Sequence, residues 1–347
     1  MATMREVAAL ANVSAKTVSR VFNNDPHVTK DTKERVQSAL RQLQYVPNSL
    51  ATSFRNQKAP VIGVAVPDIG DPFFAALTKV VETMAAARGM SIVMTILGDD
   101  PQREPEAVQS LLRQPVSGLV IAPTAPDHGY LQAWTPRLPI VFVDRPPVGV
   151  RVDSFTEDDV SGANLATTHL IDHGHVRVGF IGDDLAIPTT RGRLGGYRAA
   201  LIGAGLSVDE DLIVLGAIDR DQAAEALRQL EQAEPTALFC SNARAAMSLA
   251  PILRHSGLAI TTFGDFPLAD MLTPSLTVID QDPQELARLA TQRVFDRLDY
   301  PNRRFRRRNV LPVLDLVERE SCKVKNRLRQ PPAGATMRTD GIFEPAT

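Results

Sequence analysis

The sequence predicts an α/β protein with a small all-α head and a core of two doubly wound α/β lobes. Two observations predict this fold class. Residues 3–46 contain three short segments with helical spacing and no strand pattern. From Val61, short apolar runs alternate with helical segments, and this alternation restarts after about Thr156. Each such series predicts a parallel sheet with helices on both of its faces.

The first helix of the head begins after Thr3. Thr3 and Glu6 have the spacing of a capping box, in which each side chain accepts a hydrogen bond from the other residue's backbone amide. Asn12 ends the helix, because asparagine tolerates the left-handed conformation of a tight turn between helices. The helix is predicted to bury one apolar stripe, formed by Val7, Ala8, Leu10 and Ala11.

The second helix, AKTVSRVFN, follows the capping residue Ser14 and buries Val18, Val21 and Phe22. Two short helices joined by a tight turn form a helix-turn-helix, whose second helix can enter the major groove of DNA. The pattern therefore predicts a head that reads DNA. The side chains near the exposed start of the helix would face the bases, and they are Ala15, Lys16, Thr17, Ser19 and Arg20.

The remaining elements follow in order along the chain. A third helix runs from Thr29 to about Gln44. In the first lobe, VIGVAVP, MSIVMTI, GLVIAP and PIVFVD predict buried strands, with FFAALTKVVETMAAARG and PEAVQSLLR as helices between them. In the second lobe, RVGFIGD, TALFCS and AITTFGD predict strands, and NLATTHLIDHG and RLGGYRAALIGAG predict helices. A last helix, PQELARLATQRVFDRL, precedes an arginine-rich stretch.

The run VAALANVSAKTVSRVFN resembles the helix-turn-helix of the lactose/galactose repressor family of bacterial transcription regulators. It follows the family pattern V-A-x-x-A-x-V-S-x-x-T-V-S-R-V-x-N at nearly every position, with Asn12 where the family usually has glycine. Residues 27–48 resemble the family's third helix and the start of its hinge, and the likeness continues to about Ser321. The resemblance implies a two-lobed core like that of periplasmic sugar-binding proteins, with a ligand between the lobes.

The resemblance also implies which residues of the second helix read DNA. In the family, the positions of Ala15 and Lys16 choose the operator sequence, and those of Thr17, Ser19 and Arg20 make shared base and backbone contacts. Lys16 and Arg20 can donate to guanine or to phosphate. Ala15 and the methyl group of Thr17 can touch thymine methyl groups.

Four further head residues, Thr3, Ser14, Asn23 and His27, are expected to contact the DNA, the last three as ligands of phosphate or sugar. For Ser14 a pure helix cap is equally compatible with the sequence, and both roles can coexist. Residues 1–58 carry nine Lys and Arg against four Asp and Glu, a net charge of +5, while the remaining residues have a net charge of −7. A basic head on an acidic core suits a protein that docks one end on phosphates.

The resemblance to the family also implies a role for the hinge segment in DNA binding. In the family this segment forms a short helix when two copies pair on DNA, and one residue opens the minor groove at a central step. Here Asn48 starts the hinge, Leu50 and Ala51 would face the partner hinge, and Phe54 would be the wedge. The family usually has leucine at Phe54, but phenylalanine also serves as an intercalating wedge. The alternative for Phe54 is an aromatic side chain packed on the core.

These expectations define the partners and the domains. The expected partners are a double-stranded DNA operator with a pseudo-palindromic sequence, a sugar-like effector and a second copy of the chain. No interaction with a membrane is expected. The tail does not resemble a leucine-heptad tetramerisation helix, which favours a dimer. The predicted domains are a helix-turn-helix domain (1–46), a hinge helix and linker (47–60), a two-lobed effector-binding and dimerisation domain (61–321, with lobe crossovers near 157, 282 and 310) and a disordered tail (322–347).

The effector residues are expected just after strands, because ligands of doubly wound sheets bind at the carboxyl ends of the strands. Phe73 or Phe74 can stack on a sugar face or pack in the core. An arginine fork at Arg191 and Arg193 can hold a hydroxyl pair, a carboxylate or a phosphate. Together with the residues that match family ligand positions, the predicted set is Asp71, Phe73, Phe74, Asp144, Thr189, Arg191, Arg193, Asn242, Asp265 and Gln281.

Two departures from the family pattern affect the expected ligand. Ala243 replaces an aspartate that usually follows Asn242, and Gly264 stands where many members have the first aspartate of an F-D-D motif. Because acidic hydroxyl acceptors are lost and arginines are nearby, an acidic ligand such as a sugar acid or sugar phosphate is a hypothesis beside a small neutral sugar.

The resemblance implies a repressor of a catabolic operon, controlled by this effector. The rival hypothesis is a cytoplasmic solute-binding receptor with a vestigial DNA-binding head, and the intact capping box and hinge argue against it. Two cysteines, Cys240 and Cys322, and the lack of a long apolar run favour a bacterial cytoplasmic protein that joins the nucleoid when it binds its operator.

Catalysis is not supported by the sequence. It contains no P-loop, no G-x-S-x-G elbow and no cysteine set for zinc, so no enzyme and no cofactor are expected. His169, His173 and His175 resemble a metal-ligand cluster, but Gly174 ends the helix there, and a structural turn is the favoured interpretation with no metal. The arginine-rich residues 303–308 form either a second DNA contact or, in the favoured interpretation, a solvated loop.

Overall fold

The computed structural model of the chain describes residues 3–22, 25–43, 61–216, 220–312 and 315–323. The described residues form two compact units, one within residues 1–59 and the other within residues 60–347. The predicted hinge and linker, residues 47–60, lies outside the described residues. Across the described ranges, no helix is both long enough and apolar enough to cross a bilayer.

The head is a three-helix unit, and its first turn forms as the sequence predicts. The Thr3 amide donates to Oε2 of Glu6 at 2.7 Å, and the Glu6 amide donates to Oγ1 of Thr3 at 3.3 Å. Asn12 has a φ of 52°, the left-handed conformation expected of it. The helices are α1 (Met4–Leu10), α2 (Ala15–Phe22) and α3 (Lys30–Gln42).

The helices of the head enclose a small core that includes Val7, Val18 and Val36, which are fully buried. One predicted core residue is wrong: Leu10 is 46% exposed. At 3.6 residues per turn, Val7 and Ala11 share a face, and Leu10 lies to one side of it.

The first lobe is a six-stranded parallel sheet with helices packed on it. The strands of this lobe are β1 (Val61–Val66), β2 (Ser91–Ile96), β3 (Gly118–Ile121), β4 (Ile140–Val143), β5 (Asp153–Glu157) and β11 (Arg308–Leu311). Its helices are α4 (Pro72–Ala87), α5 (Glu104–Leu112), α10 (Pro283–Asp299) and the 3₁₀ turn Gly129–Leu131. The strand order is β11-β5-β4-β3-β1-β2, and α10 packs on the apolar face of this sheet together with α4.

The strands of the second lobe are β6 (Val178–Gly182), β7 (Ile213–Leu215), β8 (Ala237–Cys240), β9 (Ala259–Phe263), β10 (Thr277–Ile279) and β12 (Leu316–Val317). They repeat the strand order of the first lobe as β12-β10-β9-β8-β6-β7, and β12 is the antiparallel strand of this sheet. The helices of this lobe are α6 (Asp159–Asp172), α7 (Pro188–Gly203), α8 (Arg220–Gln232) and α9 (Ala243–Ser256), with 3₁₀ turns Glu210–Leu212 and Ser321–Lys323.

The chain passes between the lobes three times, after β5, after β10 and after β11. In each sheet the winding direction reverses beside the first strand, which opens a crevice at the carboxyl ends of the strands. The predicted fold class, an all-α head with two doubly wound lobes, is confirmed.

The sequence predicts a disordered tail from residue 322 onward, but in the structure the fold continues past this residue. Cys322 is fully buried in the core of the second lobe. The Ser321 hydroxyl donates to the Ile260 carbonyl at 2.7 Å and accepts from the Thr277 amide at 2.8 Å. These bonds hold the 3₁₀ turn against the sheet, so the fold extends to Lys323. The later residues lie outside the described part of the chain.

The arginine-rich stretch is anchored on the first lobe through Phe305. The guanidinium groups of Arg293, Arg297 and Arg303 lie 4.7 to 5.3 Å from the centre of its ring. Asp153 is buried and pairs with Arg293 at 3.1 Å and with Arg297 at 2.8 Å. The arginines of residues 303–308 are themselves exposed, which is compatible with a solvated loop and with a second DNA contact alike, and Arg308 begins a strand of the sheet. The sequence alone did not indicate the aromatic anchor.

Candidate functional site

The candidate DNA-reading surface is the start of α2. Ser14, Lys16 and Arg20 are exposed, while Thr17 and Ser19 are half-buried. Ala15 also packs in part against the head core, so only part of its methyl group is accessible. The surface therefore offers two cations and three small hydroxyl side chains on one short helix, a set suited to base edges and phosphates.

The structure gives Ser14 and Thr3 capping roles. The Thr17 amide donates to Oγ of Ser14 at 3.1 Å, and the two hydroxyl oxygens lie 2.9 Å apart. Thr3 closes the capping box of α1. Both hydroxyl groups satisfy helix amides, and this is compatible with a further contact to a phosphate.

Arg20 is oriented by an acid that sequence reasoning missed. Its Nε donates to Oδ2 of Asp25 at 2.7 Å, and Oδ1 of Asp25 accepts from the His27 amide at 2.9 Å. The hydrogen bond from Arg20 lowers the pKa of the Asp25 carboxyl, and the same bond raises the pKa of the guanidinium. Asp25 thus links Arg20 to the backbone of His27, two predicted DNA ligands.

Five predicted DNA ligands lie outside the described residues and stay predictions: Asn23, Asn48, Leu50, Ala51 and Phe54.

The candidate effector site is a cavity of about 160 Å³ between the two lobes of the core. It is formed by segments that follow strands of both sheets, as expected for facing crevices. Eight of the predicted effector residues line it: Asp71, Phe73, Phe74, Asp144, Thr189, Arg193, Asn242 and Gln281.

Two predicted effector residues do not line the cavity. Arg191 is exposed, and its Nη1 donates to the carbonyls of Leu185 and Ala186. Residues two apart on a helix are separated by about 200°, so Arg191 and Arg193 cannot form a fork on one face. Asp265 instead pairs with Arg319 at 2.5 Å on the second lobe.

The two phenylalanines have different environments. Phe74 is buried in the core of the first lobe, and Phe73 is half-buried at the cavity wall. Their rings meet edge to face, 5.2 Å apart. Of the two alternatives for this pair, core packing therefore describes Phe74, and Phe73 is the ring better placed to stack on a sugar face.

The first lobe contributes carboxylates to the cavity wall. Asp71 caps α4, because its Oδ1 accepts from the Phe73 amide at 2.9 Å, and burial raises the pKa of its carboxyl. Asp144 follows β4 with a φ of 65°, and its Oδ2 lies 3.3 Å from Nε of Arg145. The Arg145 Nη1 donates to the Pro123 carbonyl at 2.8 Å, so this arginine is held on its own lobe.

On the second lobe, Arg193 is buried, and its guanidinium group contacts a carboxylate, a backbone carbonyl and an aromatic ring of the protein. Its Nε donates to Oδ1 of Asp159 at 2.7 Å, its Nη1 donates to the Ser241 carbonyl at 2.7 Å, and its guanidinium lies 3.9 Å from the ring centre of Phe263. Burial raises the pKa of Asp159 to about 6, although Arg193 opposes this shift. Arg193 therefore builds the wall of the cavity through protein contacts.

The first lobe crossover is held to the second by Glu157. Its Oε2 accepts from Nε2 of Gln281 at 2.5 Å, and its Oε1 accepts from the Asp282 amide at 3.3 Å. Burial raises the pKa of Glu157 to about 7. Gln281, which lines the cavity, is thus part of the connection between the lobes.

Several lining residues were missed from the sequence. They come from loops whose contact with the cavity depends on tertiary structure, and the only sequence signal is their position within a few residues of strand ends. The ionisable ones are Asp68, Asp99, Asp183, Asp184, Arg145 and Arg244. The others include Thr124 and Thr190.

The lining is rich in acceptors. It contains six aspartates and three arginines, and each arginine has a carboxylate oxygen of the protein as its neighbour, although Nε of Arg145 is buried without a hydrogen bond among the described residues. Oδ1 of Asp183 is buried without a hydrogen-bond partner among the described residues. A buried acceptor without a donor is costly, so the site is prepared for a ligand that donates hydrogen bonds.

Two family models match the chain. The one described as bacterial regulatory proteins, lacI family, matches residues 3–48. The one described as periplasmic binding proteins and sugar binding domain of LacI family matches residues 59–294. The two matches fall on the helical head and on the two-lobed core.

Similar proteins agree with these matches. The chain is 33% identical to the ribose operon repressor of Escherichia coli (strain K12) over 325 residues, which cover 90% of this chain and 98% of that protein. It is 32% identical to the HTH-type transcriptional regulator GalR of the same strain over 288 residues, 80% and 84% of the two chains. Its fold matches the Lac repressor dimer bound to operator and the anti-inducer ONPF, with a TM-score of 0.79, 25% identity and coverage of 92% and 99%. The chain therefore belongs to the LacI family of bacterial regulatory proteins.

Proposed function

We propose that this LacI-family regulator is an operator-binding repressor whose effector is a small neutral polyhydroxy ligand of monosaccharide size. The observation that carries this proposal is the acceptor-rich cavity, in which six aspartates outnumber three arginines that each have a carboxylate neighbour, and in which Asp183 has an unused buried oxygen. Sugar hydroxyl groups donate hydrogen bonds, and a neutral ring adds no charge to a wall that already carries excess carboxylates.

The size of the cavity supports a single sugar ring. An apolar cavity of about 150 Å³ holds one benzene ring, so about 160 Å³ suits one ring rather than two. Phe73 at the wall offers an aromatic edge or face for the ring carbons. Because a ribose operon repressor is among the relatives, D-ribose is the first ligand to test.

An acidic effector, the other hypothesis from the sequence, is less compatible with these contacts. It was based on the loss of acidic acceptors and on Arg191 and Arg193 near the ligand, but Arg191 lies outside the cavity and Arg193 is hydrogen-bonded to Asp159 and Ser241. A carboxylate or phosphate would meet six aspartates, and each of the three lining arginines already has a carboxylate of the protein beside it.

For DNA recognition, we propose that α2 reads the operator through Lys16 and Arg20, with the neighbouring hydroxyl side chains as supporting contacts. Residues 1–46 would be the DNA-binding domain, residues 47–60 the hinge that pairs in a homodimer, and residues 61–323 the effector domain. A Lac repressor relative is a dimer on its operator, which supports the same assembly here. Such a repressor acts in the cytoplasm, at the nucleoid.

The first experiment is selection of bound fragments from a random DNA pool with the full chain, beside the matched variant Arg20→Ala. A pseudo-palindromic sequence enriched by the parent chain, and strongly reduced for the variant, is expected. No enrichment by the parent chain would support the solute-receptor alternative with a vestigial head, and equal enrichment by both chains would show that Arg20 does not contribute to operator recognition.

The second experiment tests the ligand class by calorimetric titration with D-ribose, D-ribose 5-phosphate and D-ribonate. These three share a carbon chain and differ in charge. Binding of D-ribose with little binding of the two anions is expected. Tighter binding of either anion would overturn the neutral-ligand proposal while leaving the DNA-binding role intact.

A further inference from the structure

Four potential metal ligands meet at the edge of the second lobe. His169 lies in the last turn of α6, and His173 is the residue that ends this helix. Glu318 follows β12, and Cys322 lies in the 3₁₀ turn after it. One donor atom from each of the four side chains lies within 4.8 Å of the other three.

This cluster is separate from the effector cavity. Helix α6 begins with Asp159 beside the cavity wall and ends at His173, just before β6 begins. It therefore runs from the carboxyl edge of the parallel strands to their amino edge. The cluster lies at the amino edge, opposite the crevice in which the effector is proposed to bind.

The two histidines are oriented by the end of the helix. Nδ1 of His173 lies 2.8 Å from the His169 carbonyl oxygen. Because a carbonyl only accepts, this nitrogen carries the proton, and Nε2 of His173 keeps its lone pair. Such a bond from the second ring nitrogen to a carbonyl is how proteins usually orient a metal-binding histidine.

His169 supplies the second ring. Its Nε2 is buried and has no hydrogen-bond partner among the described residues. The rings of His169 and His173 lie 4.5 Å apart, as expected for positions i and i+4 on one helix face. A buried ring nitrogen without a partner needs an explanation, and a bound cation provides one.

The other two ligands come from a segment that is fixed by neighbouring bonds. Cys322 is buried, and the hydroxyl of the adjacent Ser321 forms hydrogen bonds with the backbone of both β9 and β10. A carboxylate oxygen of Glu318 lies 2.8 Å from Nζ of Lys323, and the Lys323 side chain is 60% exposed. Lys323 can therefore move into solvent and release Glu318 to a cation, which would replace its positive charge.

We propose that His169, His173, Glu318 and Cys322 form a tetrahedral zinc(II) site that ties the end of α6 to the 318–322 segment. Nitrogen, sulfur and oxygen donors of this kind are typical zinc ligands, at about 2.0 to 2.3 Å from the ion, which places neighbouring donor atoms about 3.3 to 3.6 Å apart. The present spacing requires the side chains to close by about 1 Å. On binding, zinc takes the lone pair of the Cys322 thiolate, and the thiol proton leaves to solvent.

His175, the third histidine of the local sequence pattern, is not part of this site. It is buried, and its Nδ1 lies 3.2 Å from Oγ1 of Thr236. The sequence pattern of three histidines therefore did not indicate this ligand set, because Glu318 and Cys322 come from a distant part of the chain.

The test is titration of the metal-free full chain, carrying no histidine tag, with cobalt(II) and then with zinc(II). One cobalt per chain is expected, with a thiolate-to-cobalt charge-transfer band in the near ultraviolet and the intense visible bands of tetrahedral cobalt. Zinc should displace it and raise the Tm, because a ligand that binds only the folded chain stabilises it. Failure to bind one metal per chain, or a cobalt spectrum without the charge-transfer band, would overturn the proposal.

Variants separate the site from accidental binding. His173→Ala and Glu318→Gln change exposed side chains and should each weaken zinc binding by about tenfold or more, while the neighbouring exposed Asp172→Asn should leave it unchanged. Lys323→Ala should tighten zinc binding, because it frees Glu318. Zinc affinity that is the same in His173→Ala and in the parent would contradict the site.

The thiol ligand has its own control, because the chain contains only two cysteines. Cys322→Ser should abolish the charge-transfer band, and Cys240→Ala, in a strand of the core, should keep it. The reverse result would assign the cobalt to Cys240 and overturn the proposal. If Cys322→Ser does not fold, His173→Ala still decides the outcome through the affinity.

Discussion

Arg244 joins the two lobes across the effector cavity through Asp99. Nη1 of Arg244, at the start of α9 in the second lobe, lies 3.1 Å from Oδ1 of Asp99, which follows β2 in the first lobe. Its Nη2 lies 3.4 Å from Oδ2 of Asp183 on its own lobe. The pair stands among the residues that line the cavity, so its length depends on the angle between the lobes.

Breaking this contact should weaken effector binding. Asp99→Asn removes the charge that attracts Arg244 across the cleft, so the lobes lose part of the free energy that holds them around a ligand. The side chains are 21% and 51% exposed, so the pair contributes about 1 kcal/mol or less and the loss of affinity should be up to about fivefold. Calorimetric titration with the best neutral sugar measures it.

The control for this change is Glu82→Gln, which breaks an exposed pair with Lys79 within the first lobe. Unchanged affinity is expected for the control. If Asp99→Asn and Glu82→Gln behave alike, the pair between the lobes has no part in ligand binding.

Arg193 and Arg191 provide a second prediction, on stability. Arg193→Ala leaves the buried carboxylate of Asp159 without its partner and should lower the free energy of unfolding by about 3 kcal/mol. Arg191 is exposed, and Arg191→Ala should change it by about 0.5 kcal/mol or less. Urea unfolding followed by circular dichroism compares the two variants. A destabilisation by Arg193→Ala of about 0.5 kcal/mol or less, as small as that expected for Arg191→Ala, would mean that the contacts of Arg193 add little to the stability of the fold.

This pair of arginines also shows what the sequence could predict. Local signals were sufficient for the capping of α1, the turn at Asn12 and the strand and helix pattern of both lobes. The resemblance to the repressor family, together with strand ends located from the sequence, was sufficient to place eight of the ten predicted effector residues around the cavity. The sequence did not show which face of α7 each arginine occupies, since that depends on the orientation of the whole helix.

The contacts between distant residues could not be predicted in the same way. Asp159 and Arg193 belong to different helices, and Asp99 and Arg244 belong to different lobes, so no local spacing relates them. The same reason applies to Cys322, which looked like the start of a polar tail. Its burial depends on bonds from Ser321 to strands that are distant in sequence.

A third prediction concerns pH. Burial disfavours the charged form of Glu157 and raises the pKa of its carboxyl from its usual 4.5 to about 7 in the folded chain. The folded chain therefore binds more protons than the unfolded chain between these values, and stability falls as the pH rises from about 4.5 through 7. Glu157→Gln removes this contribution and keeps an acceptor for Gln281.

Thermal unfolding measured between about pH 5 and about pH 8 tests this prediction. As the pH rises through this range, the Tm of the parent chain should fall by more than the Tm of Glu157→Gln does. Asp159, whose pKa is raised to about 6, contributes in the same direction in both proteins, so the variant should keep a smaller slope. A slope identical to that of the parent would show that Glu157 does not titrate in this range.

The last prediction concerns the pairing of Arg20 with Asp25 in the head. Asp25→Asn removes the charge that orients the guanidinium and also removes a negative charge near the DNA-reading surface. The first effect should lower affinity for the selected operator, and the second should raise affinity for unrelated DNA, so the ratio of the two affinities should fall several-fold.

Asp31→Asn makes the same change of charge on α3, where Asp31 pairs with Arg35, and does not touch α2. It should raise both affinities together and leave their ratio unchanged. Fluorescence anisotropy with operator and unrelated duplexes at two salt concentrations measures the ratio, and equal ratios in the two variants would show that Asp25 acts on DNA binding only through its charge.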